Sequence, residues 1–224
     1  QELRCYDKVI ELNPQSADGF FWKGYVLSEL EQLQRAIEFY DKAIDLDSQF
    51  ELAYLNQGVA FGDLGQYQQE LRCYDKVIEL NPQSEDAHFN KGSALSDLGQ
   101  FQRAIECYDK VIELTPHCGD SYYNKGNVLH SLEQFHQAIE CFDKSIELDP
   151  EDSQVYLAKG SALSHLEEFY RAVECFDKSI ELNPYTFETY EAYSEKGFAF
   201  GALEEFQQAI ECFDKAMQLD PLDP

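Results

Sequence analysis

The chain is short of positive charge. Its 224 residues carry 17 Lys and Arg against 43 Asp and Glu, a formal net charge of −26. Phosphate backbones are held by clustered cations, so DNA, RNA and anionic membranes are not expected as partners. Basic proteins and peptides remain electrostatically allowed. Long apolar runs are missing as well. None reaches the ~18 residues that a membrane-spanning helix needs. No signal peptide is visible. The chain begins at Gln1 in the middle of a repeating pattern, so the natural N-terminus is expected to lie further upstream.

Chemistry-bearing spacings are also missing. The five histidines, His88, His117, His130, His136 and His165, form no His-x-x-x-His pair, and the cysteines form no Cys-x-x-Cys pair. His117-Cys118 is adjacent, but it has no matching second pair. The glycines do not cluster into a phosphate-cradling loop; six of them are spaced about one repeat apart. Carboxylates recur in every repeat, as in Glu140, Asp143, Glu147 and again Glu174, Asp177, Glu181, which fits a solvated helix face better than one acid–base pair. No catalytic, cofactor-binding or metal-binding residue is expected, and no cofactor.

What is present is a period. A ten-residue phrase, seen as C-Y-D-K-V-I-E-L-T-P and C-F-D-K-S-I-E-L-D-P, ends at Pro14, Ser48, Pro82, Pro116, Pro150, Pro184 and Pro221. The spacings are 34 five times and then 37. A fixed period in this range marks a solenoid of stacked supersecondary units. Six of the seven cysteines, Cys5, Cys73, Cys107, Cys141, Cys175 and Cys212, hold one place in it. Equivalent helices stack about 8–10 Å apart, too far for neighbouring bridges, so these residues are expected to be small packing groups in a reducing, cytoplasmic setting.

Within residues 119–152, apolar and small residues at helical spacing run from Gly119 to Leu132. A break follows at Glu133-Gln134, and a second helical run spans Phe135 to Leu148 before Asp149-Pro150 stops it. Each repeat therefore reads as two antiparallel helices, A and B. Residues 1–16 read as a lone helix B. Full repeats read as 17–50, 51–84, 85–118, 119–152, 153–186 and 187–224, the last with three extra residues, all in one array over 1–224. Gly24, Gly58, Gly92, Gly126, Gly160 and Gly197 share a place in helix A. Ala36, Ala104, Ala138, Ala172 and Ala209 are expected to face them from helix B.

Gly at the eighth place, Ala at the twentieth, an aromatic at the twenty-fourth and Pro at the thirty-second resemble the tetratricopeptide repeat, over essentially the whole chain. The resemblance implies an all-α, right-handed superhelical solenoid of antiparallel helix pairs, with helix A lining a concave surface that holds peptides or protein segments.

Four departures stand out. Residues 1–16 repeat residues 69–84 identically, which suggests a two-repeat duplication and a longer parent array. Glu70 takes the place of the helix-B alanine and is expected to lift its carboxylate to solvent. The seventh place, usually Leu in the family, is Lys23, Gln57, Lys91, Lys125, Lys159 and Lys196. These are expected to bury their stems and pair their heads. The extra residues within 185–193 are expected to lengthen the last helix A or bulge its entry, adding Tyr185 and Phe187 to the surface.

A second stripe on helix A runs through its second, fifth, ninth and twelfth places. The candidate peptide-binding residues lie there: Phe21, Tyr25, Leu55, Val59, Phe89, Ser93, Tyr123, Asn127, His130, Leu157, Ser161 and Phe198. Packing between repeats competes for the same stripe. The carboxylate clamp of chaperone-binding relatives is not expected, since the fifth place is never Lys. The function expected is a non-enzymatic protein-interaction scaffold for a segment with apolar anchors and basic side chains. Two alternatives remain: a spacer or self-associating module, using uncapped repeat ends, and repeats presenting substrate to a catalytic domain elsewhere.

Overall fold

A computed structural model describes residues 2–184 and 186–219, apart from the side chains of Glu2, Phe187 and Glu188. Among the described residues there are thirteen α-helices and no strand. The chain is an all-α helical repeat and divides into two compact units, 1–114 and 115–224.

The first unit holds α1 (Glu2–Leu12), α2 (Ala17–Glu29), α3 (Leu33–Leu46), α4 (Glu51–Asp63), α5 (Tyr67–Leu80), α6 (Glu85–Asp97) and α7 (Phe101–Leu114). The second holds α8 (Gly119–Ser131), α9 (Phe135–Leu148), α10 (Ser153–His165), α11 (Phe169–Leu182), α12 (Phe187–Ala202) and α13 (Phe206–Leu219). Even-numbered helices are the A helices. Within each unit an A helix packs on its own B helix and on the B helix before it, as α10 does on α11 and α9. Burial from two sides explains why helix A is apolar on two stripes, while helix B is strongly one-sided.

The A-to-B turn is built the same way in every repeat. One residue sits in the left-handed region: Gly65 and Gly99 in two repeats, Glu31, Glu133, Glu167 and Glu204 in the other four. The next amide then reaches back five residues, as Gln134 N–H does to Leu129 O at 2.9 Å, and this ties off the helix carbonyls.

The glycine at the eighth place answers to a ring, not chiefly to the alanine opposite. A Cβ on Gly126 or Gly160 would lie 2.5 Å from Cε1 of Phe142 or Phe176, and one on Gly58 2.6 Å from Cε1 of Tyr74. Those rings are among the most deeply buried side chains in the chain. The ring therefore takes the volume that a helix-A side chain would occupy, which explains a residue with ~1 kcal/mol of helix penalty in each repeat.

Four of the five seventh-place lysines behave as expected. Lys91 pairs with Asp75 at 2.6 Å and Lys159 with Asp143 at 2.5 Å; Lys23 pairs with Asp7 and Lys196 with Asp177. Gln57 makes the neutral version, donating to Asp41 at 2.7 Å. Each bond joins helix A to the preceding helix B. The aspartates are about half exposed, so each pair contributes roughly 0.2–1 kcal/mol and acts mainly to fix register.

Glu70 differs from expectation. Its residue is 8% exposed, and the carboxylate turns inward against Gly62 while accepting a hydrogen bond from Tyr74 Oη at 3.3 Å. The missing side chain at Gly62 supplies the room. Burial raises the Glu70 pKa, the Tyr74 bond lowers it in part, and the charges of Asp97 and Asp63 raise it further.

The extra residues lengthen helix A: α12 has 16 residues where the other A helices have 13. Thr186 and Thr189 bond reciprocally at its start. Tyr185 and the side chain of Phe187, expected at the surface, lie outside the described residues. All seven cysteines are free thiols, and burial pushes Cys73 up to about 12. No helix among the described residues is long and apolar enough to cross a membrane.

Candidate functional site

In the second unit, the A helices bring four of the expected residues to one opening. Tyr123 on α8, Leu157 and Ser161 on α10 and Phe198 on α12 line a pocket of ≈ 880 Å³, with Phe213 and Met217 of α13 as its far wall. Its size falls in the range of ligand clefts. Tyr123 is braced by Phe142, ring centroids 6.2 Å apart. Phe198 stands edge-on to Phe213 at 5.2 Å. Yet Phe198 is 65% exposed and Met217 58%, a large apolar area left to water.

Two carboxylates share this opening. Glu191 and Glu195 lie four residues apart on α12, hence on one face of it. Burial raises the Glu195 pKa; His165 pulls it back, and Glu191 raises it again. Among the described residues, the pocket lining contains no Lys or Arg.

Asn127 and His130 do not line the pocket. His130 sits behind it, its ring 5.2 Å from Phe135 and 5.0 Å from His165, with Nε2 at 3.4 Å from Ser161 Oγ. Burial, then the neighbouring His165, lowers the His130 pKa.

The first unit distributes its candidates differently. Phe21 is 3% exposed and is not available to a ligand; it packs at 5.0 Å against Phe50 and 5.9 Å against Tyr40. The cause is local. Phe50 stands just before α4, where the equivalent residues before α2, α6 and α10 are the polar caps Ser16, Ser84 and Asp152, and its ring covers the stripe. Tyr25 is 38% exposed and packs edge-on to Trp22, itself exposed. Leu55 borders a pocket of ≈ 340 Å³ beside Glu51, Leu52 and Asp86. Val59 and Ser93 border another of ≈ 300 Å³ with Glu70, Asp63 and Asp97. Phe89 is half-buried against Tyr108, and Ser93 Oγ lies 3.2 Å from Tyr108 Oη.

Sequence reasoning passed over Glu191, Glu195, Phe213 and Met217. One signal was available for Glu195. The sixth place of helix A reads Trp22, Asn56, Asn90, Asn124 and Ala158 before it, so an acid there breaks the run. Among the described residues, no group of three His, Cys, Asp or Glu side chains is placed to hold a metal ion.

Comparison with known proteins gives a uniform answer. Tetratricopeptide repeat family models match residues 5–38, 52–84, 85–118, 119–152, 153–186 and 190–222. No curated protein matches the sequence. Among solved structures, the chain is similar to YrrB, described as a TPR protein with an unusual peptide-binding site. Identity is 25%, the TM-score is 0.69, and the match covers 84% of this chain and 96% of that one. It is also similar to MamA from Desulfovibrio magneticus RS-1, at 25% identity and a TM-score of 0.72 over 78% and 97% of the two chains. Likeness to pilF of Pseudomonas aeruginosa, at 18% identity and a TM-score of 0.76 over 92% and 93%, concerns the fold alone. With its repeats matched from residue 5 to residue 222, the chain belongs to the tetratricopeptide repeat family.

Proposed function

We propose that the chain is a non-enzymatic protein-interaction module whose second unit holds a peptide segment of a partner on the face of its A helices. The observation that carries this reading is the pocket of ≈ 880 Å³ between Tyr123, Leu157, Ser161, Phe198 and Met217. Apolar side chains left more than half exposed, as Phe198 and Met217 are, are best used by a ligand, and a few side chains of an extended peptide match the volume. Similarity to YrrB, whose peptide-binding site is named in its description, supports the same class of ligand. Among the described residues, the first unit has two smaller, more polar pockets and the exposed Trp22–Tyr25 pair.

Selection from a random peptide library displayed on phage tests this. Peptides should be enriched on the parent and lose binding to a Tyr123→Ser, Leu157→Ser, Phe198→Ser variant that circular dichroism shows to be folded. Enriched peptides that bind the variant as well as the parent would remove the pocket from the account.

A further inference from the structure

We propose that the pocket selects segments presenting a lysine or arginine beside an apolar side chain. In this reading Glu191 and Glu195 receive the cation, and Tyr123, Leu157, Phe198 and Met217 receive the apolar group. This rests on the peptide-binding reading above and adds the chemistry of the ligand.

The carboxylates are the first reason. Both line the pocket from one face of α12, and among the described residues neither is paired with a Lys or Arg. Five cations of this unit are paired with other carboxylates: Lys144 with Glu147, Lys159 with Asp143, Arg171 with Glu168, Lys178 with Glu181 and Lys196 with Asp177. Lys215 lies over the ring of Tyr193. Closing the opening with a neutral peptide would dehydrate two like charges without compensation, and an acidic peptide would add a third. A basic head group reverses both terms. The net charge of −26 acts in the same direction at longer range, favouring encounter with cationic segments.

The apolar surface is the second reason. Phe198 and Met217 are more than half exposed at the rim, with Tyr123 and Leu157 beside them in the lining. A bare cation would leave that surface wet. The stem of a Lys or Arg can lie along Phe198 with its head toward Glu195, and an adjacent Leu- or Phe-like side chain can fill the remainder.

Four fluorescein-labelled synthetic peptides in one Gly-Ser frame provide the test, differing only in a central pair: Leu-Lys, Leu-Gln, Leu-Glu or Ser-Lys. Fluorescence anisotropy with the whole chain should give tightest binding for Leu-Lys, roughly tenfold or more over Leu-Glu, and a preference for Lys over Gln that weakens with salt. In a Glu191→Gln, Glu195→Gln variant that preference should vanish while Leu-Lys still exceeds Ser-Lys. Equal binding of Leu-Lys, Leu-Gln and Leu-Glu by the parent would overturn the charge selection and leave the pocket reading standing. No binding by any of the four would overturn both. Light scattering that showed a dimer dissolved by Phe198→Ser would make a second copy of the chain the occupant, and would overturn the basic segment as well.

Discussion

The repeats at 51–84 and 119–152 share a framework, and two of the places at which they differ set opposite electrostatics within it. In both, a helix-A glycine lies under a buried ring, Gly58 under Tyr74 and Gly126 under Phe142. In the first, Gly62 has no side chain and the Glu70 carboxylate fills the space from helix B. In the second, helix A carries His130 at the place of Gly62, and helix B has a buried Ala138 at the place of Glu70. Two substitutions thus put an acid with a raised pKa in one repeat and a base with a lowered pKa in the other, on backbones of the same helix lengths. The places that repeat build the scaffold. The places that vary decide what it does.

The largest effect should come from breaking what the two repeats share. Gly58→Ala and Gly126→Ala each drive a Cβ to 2.6 or 2.5 Å from ring carbons. Each should lose about 1–3 kcal/mol in urea unfolding, despite the ~1 kcal/mol gained in helix propensity. Gly201→Ala, with nothing within 4 Å of its Cβ, should be neutral or stabilising. A harmless Ala at either shared glycine would undo the idea of a common framework.

Next come the two titrating groups, which should respond to acid with opposite sign. Glu70 has a raised folded pKa, so its stabilising contribution is complete below the unfolded value near 4.5 and is lost as pH rises through the folded value. Glu70→Gln should therefore be more stable than the parent at pH 7 and flatten the acid side of the melting-temperature profile. His130 has a lowered folded pKa, so its contribution is complete above about 6.5 and is lost as pH falls through the folded value. His130→Gln should remove that loss between pH 7 and pH 5. Gly62→His combined with Glu70→Ala converts one pattern into the other, and its pH profile should follow the histidine.

The smallest effect sharpens the comparison at the turn. Glu133 holds a left-handed φ of 58° where Gly65 holds 69°. Glu133→Gly should gain less than about 1 kcal/mol by thermal melting, since relief of side-chain strain is offset by a freer unfolded chain.

The scaffold was legible in the sequence because 34-residue self-similarity repeats each signal several times over. The helix pairs and the paired heads of the seventh-place lysines both follow from it, while the place of their partners on the preceding helix came from the structure. Phe21 was misread because helical phase places it on the open stripe, while the residue that covers it, Phe50, comes from a loop with no period of its own. Glu70 was misread because its burial depends on the absence of a side chain at Gly62, eight residues away. The pocket was half visible. The residues of α8, α10 and α12 lie on one stripe, but Phe213 and Met217 belong to the B helix that closes the wall.

The most direct measurement is amide chemical-shift mapping by NMR with the Leu-Lys peptide added to the whole chain. The account predicts perturbations concentrated at Tyr123, Leu157, Ser161, Glu195, Phe198 and Met217, with the helix-B aspartates of the lysine pairs undisturbed. Perturbations confined to the outer faces of α9 and α11, with α10 and α12 unchanged, would contradict it.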